Sequence, residues 1–427
     1  MRVHQRRWVA RRFARRNNKW FAALEQSGLS GCNFLYSLLI IQLAGVSDLG
    51  VYSFWFVVCQ FMGMLTIGLS TRQMVLQFSD EPFAAQRRGF ATTCRLVAGL
   101  QLAQAALIGG MVMIHPPTAG ALVLWLALTA YSASLNYAEL FRQYYYLRSR
   151  QRLSFWFSAT SLTFSTAAFV LFMVVGSVEA PELSAFWFLA LGNLGFVYSA
   201  HRALSRSGAV AAPRLAEVIA LCRTYWKPGI PATGGMLVTW MQNQSATPLL
   251  MFMLGPLWVG YYSLARMIVM PVNMLTAGLS KSALPQIRRA FGDGDGDALE
   301  RSIEGHRRTN LNLVYGYVVL VGLVWGVGRY FGRFKAGDAL IPMFVATVLV
   351  LILSNLRFWK TQHFVVRMRF GLLLRLGIYA SAVTVAMMLG GGLVLESAFW
   401  VVLAPALGEV LLILMLRHHL RKLAPVH

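Results

Sequence analysis

The chain has 427 residues, 57% hydrophobic and only 13% charged, with a mean hydropathy of +0.56. That is too little polar surface for a soluble globule, and it sends the chain into a bilayer. The net charge of +23 would suit nucleic acid, but the basic residues sit where membrane topology alone would put them, which excludes that partner.

The chain opens on a basic cytoplasmic arm, residues 1–26, which carries eight Lys and Arg. It reads as the orienting charge for the first span, or as an amphipathic arm lying on anionic lipid heads. No small-residue cleavage site follows a short apolar core, so it does not read as a cleavable signal peptide. A membrane-crossing helix needs about 20 apolar residues. Twelve such windows follow, at 27–46, 50–70, 91–114, 118–138, 155–178, 183–201, 229–254, 257–280, 309–328, 338–356, 371–389 and 397–416. The short alternating segments of a closed barrel are not visible. The expected fold is therefore an all-α polytopic membrane protein. Its N-lobe (27–206, TM1–TM6) and C-lobe (229–427, TM7–TM12, with a cytoplasmic tail) are joined by a cytoplasmic linker, 207–228.

Of the 39 Lys and Arg residues, 33 fall in the N-terminal arm, in alternate loops and after the last span, all on one side of the membrane. The opposite loops hold Arg329, Arg333 and Lys335, and the windows themselves hold Arg95, Arg266 and Arg375. This asymmetry places both termini in the cytoplasm and agrees with an even number of spans. The cysteines (Cys32, Cys59, Cys94, Cys222) show no CxxC spacing, and neither a disulfide nor a zinc site is implied.

The second and eighth windows carry a repeat. GVSDLGVYSFWFVVCQFMGMLTIGLS (45–70) laid on GPLWVGYYSLARMIVMPVNMLTAGLS (255–280) is identical at ten of 26 positions, without gaps. They are Gly45/Gly255, Gly50/Gly260, Tyr52/Tyr262, Ser53/Ser263, Met64/Met274, Leu65/Leu275, Thr66/Thr276, Gly68/Gly278, Leu69/Leu279 and Ser70/Ser280. Chance agreement between two apolar helices does not account for matched glycines, a tyrosine and serines at one offset. Six spans per half is even, so both halves enter the membrane the same way round, which predicts two lobes related by a pseudo-two-fold axis along the membrane normal. The glycines are expected to bracket tight turns.

The patterns GVSDLGVYS…GLSTR and GPLWVGYYSLAR…GLSKSALPQIRR, with the span count and charge layout, resemble the Wzx-type polysaccharide flippases. These form the oligosaccharidyl-lipid exporter branch of the MATE/MOP superfamily. The resemblance implies two lobes enclosing a central cavity, and alternating access that carries a polyprenyl-pyrophosphate-linked oligosaccharide, the precursor of O-antigen, exopolysaccharide or capsule, across the bacterial inner membrane. It also implies a polysaccharide polymerase and glycosyltransferases as partners, beside membrane lipids.

The residues are read against that implication. A charge at mid-membrane costs about 2.5–3.5 kcal/mol on insertion scales, so it faces a cavity or a partner. Arg266 lies near the middle of its window and shares a helical face with Tyr262, Asn273 and Ser280. It reads as a fixed cation for a phosphate or acidic sugar, or as the partner of Glu409 in the last span. Arg95 and Arg375, near the cytoplasmic ends of their spans, either snorkel to head groups or line the cavity mouth. Arg72 follows the first GLS as an interfacial anchor or cavity-edge cation, and its repeat counterpart is Ser282. Gln242, Asn243 and Gln244 in WMQNQS suit sugar hydroxyls or interhelical hydrogen bonds. Pro231, Gly234, Gly235 and Pro248 in that window predict a bent helix.

Acids are scarce in the windows. Glu409 alone lies deep, with Glu139 near an end beside Arg142, and the first window has none where drug-exporting relatives of the resembling superfamily carry a cation-coupling acid. No cofactor is expected, and coupling to Na+ or H+ is left open, with Glu409 its candidate. Asp293, Asp295, Asp297 and Glu304 mimic EF-hand spacing, but Ala298 replaces the turn glycine, so no metal site is expected. FRQYYYLRSRQR (141–152) reads as an interfacial aromatic and basic anchor. No catalytic residues are assigned: HExxH, GxSxG and Walker motifs are absent. A MATE-like cation-coupled small-molecule exporter, a membrane-embedded glycosyltransferase or polymerase, and a channel are the alternatives.

Overall fold

The computed structural model describes the chain apart from residues 1, 79–80, 115–119, 149, 176–179, 207–212, 293–295, 331–338, 368 and 422–427. The side chains of 2–20, 22–23, 232, 239, 277–286, 288–292, 327–330, 366 and 370 are likewise not described. Among the described residues all regular structure is helical. It runs α1 (Arg2–Leu43), α2 (Val46–Thr66), a π-helical turn (Ile67–Thr71), α3 (Arg72–Phe78), α4 (Phe83–Ile114), α5 (Ala121–Leu147), α6 (Gln151–Val175) and α7 (Pro181–Ser205). Then come α8 (Leu215–Gln244), α9 (Ala246–Leu254), α10 (Pro256–Gly292), α11 (Gly296–Tyr330), α12 (Leu340–Val366), α13 (Phe370–Leu393) and α14 (Ala398–Arg421).

The protein is an all-helical, multi-pass membrane protein. Nine helical stretches among the described residues are long and apolar enough to cross a membrane, and each coincides with one of the twelve expected windows. The other three windows fall in α1, in α8 with α9, and in α10. Large apolar side chains such as Leu102, Phe164 and Val175 are three-quarters exposed, as lipid-facing positions are.

The chain forms two compact units, Met1–Asp48 with Trp55–Leu237, and Leu49–Phe54 with Val238–His427. In the first, α5 lies against α4 and α7, and α6 against α1 and α7. In the second, α14 packs on α12 and α13, and α10 on α11 and α12. Each unit has its own apolar core, around Phe90, Tyr144 and Phe196 in the first and around Leu250, Val259 and Val401 in the second.

The repeat has a backbone cause. Gly45 and Gly255 both take positive φ, 103° and 89°, immediately before α2 and α10, in a region that penalises any Cβ. Pro256 at the first position then starts α10 at once. Gly50 and Gly260 consequently lie inside helices, not in the turns where they were expected. Gly68 serves closeness: a Cβ there would meet Thr233 Oγ1 at 2.3 Å and its Cα at 3.0 Å, so α8 could not pack on the π turn. The helical run of the seventh window is interrupted at Ser245, between α8 and α9, where Pro248 has no N–H to give the Gln244 carbonyl.

One expectation is overturned. Phe141, Tyr144 and Tyr145 are not an interfacial anchor but core residues of the first unit, with Tyr145 Oη donating to the Ala200 carbonyl at 2.9 Å. An α-helix places i and i+4 on one face, and α5 runs nine residues past its expected end at 138, so this stretch packs inward.

Candidate functional site

In the second unit, α8 and α10 bring together three of the expected residues. Arg266 Nη1 donates to Gln244 Oε1 at 2.5 Å, and the guanidinium lies 5.6 Å over the Tyr262 ring. Tyr262 is itself buried in the apolar core, so the ring is a fixed platform. Gln244 sits at the helix break, and Gln242 Nε2 reaches the Gly377 carbonyl of α13 at 3.4 Å. Both of Arg266's described contacts, an amide oxygen and a π face, are uncharged. Among the described residues no carboxylate lies within ion-pair distance of Arg266, which leaves a half-buried guanidinium carrying a full positive charge.

Glu409 does not supply the counter-charge. Its Oε2 lies 2.6 Å from Arg357 Nε, with side-chain exposures of 6% and 22%. Arg357 lies on α12, a helix long and apolar enough to cross a membrane, where the sequence puts it one residue beyond a window. Asn243 and Asn273 are exposed, and the Asn273 carbonyl accepts from Thr276 Oγ1 at 3.1 Å. Arg375 is exposed on α13, and Arg72 is exposed at the start of α3. Arg95 donates through Nη1 to the Pro213 carbonyl ahead of α8, a backbone tether within the first unit.

The first unit contains a polar centre that the apolar windows do not reveal. Glu25, 2% exposed on α1, receives Arg142 Nε at 3.2 Å and Ser154 Oγ at 3.1 Å on Oε1, together with Ser158 Oγ. Its Oε2 receives Tyr146 Oη at 2.8 Å. Arg142 also lies 3.5 Å from Glu139 and 5.0 Å over the Phe196 ring. The helix that holds the first window thus carries an acid just ahead of that window, because α1 begins well before residue 27. A second, neutral network surrounds Gln104, whose Nε2 donates to the Met62 carbonyl and to Thr66 Oγ1, both at 2.7 Å, while its Oε1 accepts from Gln101 and Asn136 at 3.1 Å.

Among the described residues no group of three His, Cys, Asp or Glu could hold a metal ion. Asp293 and Asp295 lie outside the described residues, whereas Asp297 and Glu304 belong to α11, where Glu304 pairs with Arg307 and Arg308. All four cysteines are free.

No protein-family model matches the chain, and no curated protein matches it in sequence. Solved structures match it over nearly the whole length. The lipid II flippase MurJ in an inward closed conformation has a TM-score of 0.72 at 13% identity, over 93% of this chain and 87% of that one. An inward-facing multidrug resistance MATE family transporter of the MOP superfamily has a TM-score of 0.69 at 11% identity, over 92% and 94%. The chain shares its fold with these two transport proteins. The MATE multidrug transporter DinF-BH in complex with R6G matches at a TM-score of 0.65 and 13% identity, over 97% and 96%. At such identities the likeness establishes the fold, and the cargo has to be argued from the residues.

Proposed function

We propose that the protein is a flippase that moves a polyprenyl-pyrophosphate-linked oligosaccharide across the bacterial inner membrane by alternating access of an N-lobe (27–206) and a C-lobe (229–427), with both termini cytoplasmic. One observation carries this reading: Arg266 is a permanent cation inside a membrane helix whose described contacts, Gln244 Oε1 and the Tyr262 ring, are both neutral. A guanidinium so placed fits a phosphate bidentately, and Gln242, Asn243 and Asn273 are amides that suit sugar hydroxyls. MurJ, a lipid II flippase, supports a lipid-linked cargo on this fold. Arg72, Arg95 and Arg375 are proposed as cations at the cavity's cytoplasmic edge. Polymerase and glycosyltransferase partners follow from such a cargo.

The test is reconstitution with lipid-linked oligosaccharide in vesicles, scoring leaflet and glycan mass separately. Arg266→Ala should reduce translocation at least about tenfold, the worth of one charge-assisted contact, while Arg266→Lys keeps part of it. Wild-type transport in the alanine variant removes Arg266 from the site. A changed glycan mass would replace the flippase with an enzyme.

A specific observation favours a second reading, a cation-coupled small-molecule exporter. Buried acids are present in both units, Glu25 and Glu409, and a MATE transporter with R6G shares the fold. Uptake of a cationic dye driven by a proton or sodium gradient, without oligosaccharide flipping, would select it.

A further inference from the structure

The first unit has a cavity of about 920 Å³ that no part of the proposed transport path uses. It lies between the end of α3, the first turns of α4 and the first turns of α8. Its walls are of two kinds. Phe78, Phe83 and Leu221 give it an apolar floor, and Arg87 and Arg88 stand at it as cations. The floor is rigid: the Phe78 ring lies where a Cβ on Gly89 would be, 2.6 Å away, and Phe78 and Leu221 pack on the buried core.

More positive charge surrounds it. Arg148 lies 3.7 Å over the Phe83 ring, and Arg87, Arg148 and Arg150 are all within electrostatic reach of Tyr144. Among the lining residues Glu217 is the sole acid, and it is exposed. The α8 wall is pinned to α4 through Tyr225, whose hydroxyl lies 3.3 Å from Thr93 Oγ1. Burial pushes the Tyr225 hydroxyl up to about 12, so it stays neutral and the pin holds at any physiological pH. Along the same stretch α8 exposes Leu215, Ile219 and Trp226, apolar and aromatic residues of the kind found at a membrane interface.

We infer that this cavity is a binding site for an anionic glycerophospholipid of the cytoplasmic leaflet, its phosphate held by Arg87 and Arg88 and the start of its acyl chains laid on Phe78, Phe83 and Leu221. The orientation rests on the asymmetry of the basic loops, and the site stands whichever cargo the protein carries. A cationic rim over an apolar floor at interface depth matches a headgroup joined to hydrocarbon, whereas a free phosphate would leave the floor unused. The volume suits a headgroup and the first carbons of two chains.

Native mass spectrometry of the full-length protein in detergent tests this, titrating phosphatidylglycerol against phosphatidylethanolamine of the same acyl length. The wild type should prefer phosphatidylglycerol. Arg87→Ala with Arg88→Ala should weaken it about 30-fold, the combined worth of two interfacial arginines. Arg301→Ala with Arg417→Ala, two exposed cations elsewhere, should leave it unchanged. Ala220→Trp, which fills the cavity without touching a charge, should weaken both lipids and guards against misfolding of the arginine variant. Equal binding of the two lipids, or undiminished phosphatidylglycerol binding in both cavity variants, overturns the site. Displacement by inorganic phosphate as effective as by the lipid overturns the role of the apolar floor. Oligosaccharide transport is read separately on the same variants, so failure of the flippase reading leaves this result intact.

Discussion

Glu25 and Glu409 are both buried carboxylates facing one arginine, yet their surroundings differ in kind. Glu25 on α1 is closed in by four donors from α5 and α6: a guanidinium, a phenol and two hydroxyls. Glu409 on α14 has Arg357 at 2.6 Å and, among the described residues, no other donor. Taking a carboxylate out of water costs several kcal/mol, and only a full set of hydrogen bonds offsets that cost. The first pair is therefore a fastening between three helices. The second is a single contact, and under the proposed transport function it is the pair we assign to coupling, able to exchange its partner for water or a cation.

The largest expected effect breaks the fastening. Arg142→Ala leaves Glu25 buried with three neutral donors and should cost about 3–5 kcal/mol, as lost partners of buried pairs do. It should appear as a large fall in apparent melting temperature in detergent and as poor recovery from the membrane. Adding Glu25→Gln to Arg142→Ala removes the stranded charge and should restore much of the loss. A double variant as unstable as the single one would mean that Arg142 acts through Phe196 packing, not through Glu25.

Glu409→Gln sharpens the comparison from the other side. Arg357 keeps 22% of its side chain exposed and can turn toward polar surroundings, so the stability cost should be about 1–2 kcal/mol. Transport should suffer more than stability: initial rates under a proton or sodium gradient should fall toward the rate without one, while Glu25→Gln at equal protein level keeps its gradient response. If Glu25→Gln alone abolishes the gradient response, the assignment of fastening and coupling roles is reversed.

The residues of both pairs also show what the sequence makes legible. Twelve apolar windows are visible because each satisfies bilayer thickness by composition alone. Helices, however, continue past the hydrocarbon: α1 starts at Arg2, α5 runs to Leu147 and α12 to Val366. Hydropathy does not register those polar extensions, so Glu25, Arg142 and Arg357 all read as loop or arm residues. Only Glu409, inside a window, stands out. The Arg266 site was legible as residue types on facing elements, but the bond to Gln244 joins positions 22 apart across the helix break at Ser245. The Gln104 network was hidden for a further reason: its partners come from α2 and α5, and a neutral amide carries no charge pattern to betray them.

The smallest expected effect tests whether the four donors on Glu25 act together. Ser154→Ala removes one neutral hydroxyl at 3.1 Å and leaves Arg142, Tyr146 and Ser158 in place. Taken singly it should cost about 1 kcal/mol, near the net worth of a hydrogen bond. Removing Tyr146 Oη by Tyr146→Phe should cost about 1–2 kcal/mol, since it is the one donor on Oε2. If the carboxylate is a closed set, the pair of changes should exceed the sum of the singles by at least about 0.5 kcal/mol, the coupling found between members of one network. Simple additivity would mean that each donor stabilises Glu25 independently, and the distinction from Glu409 would then be one of number, not of kind.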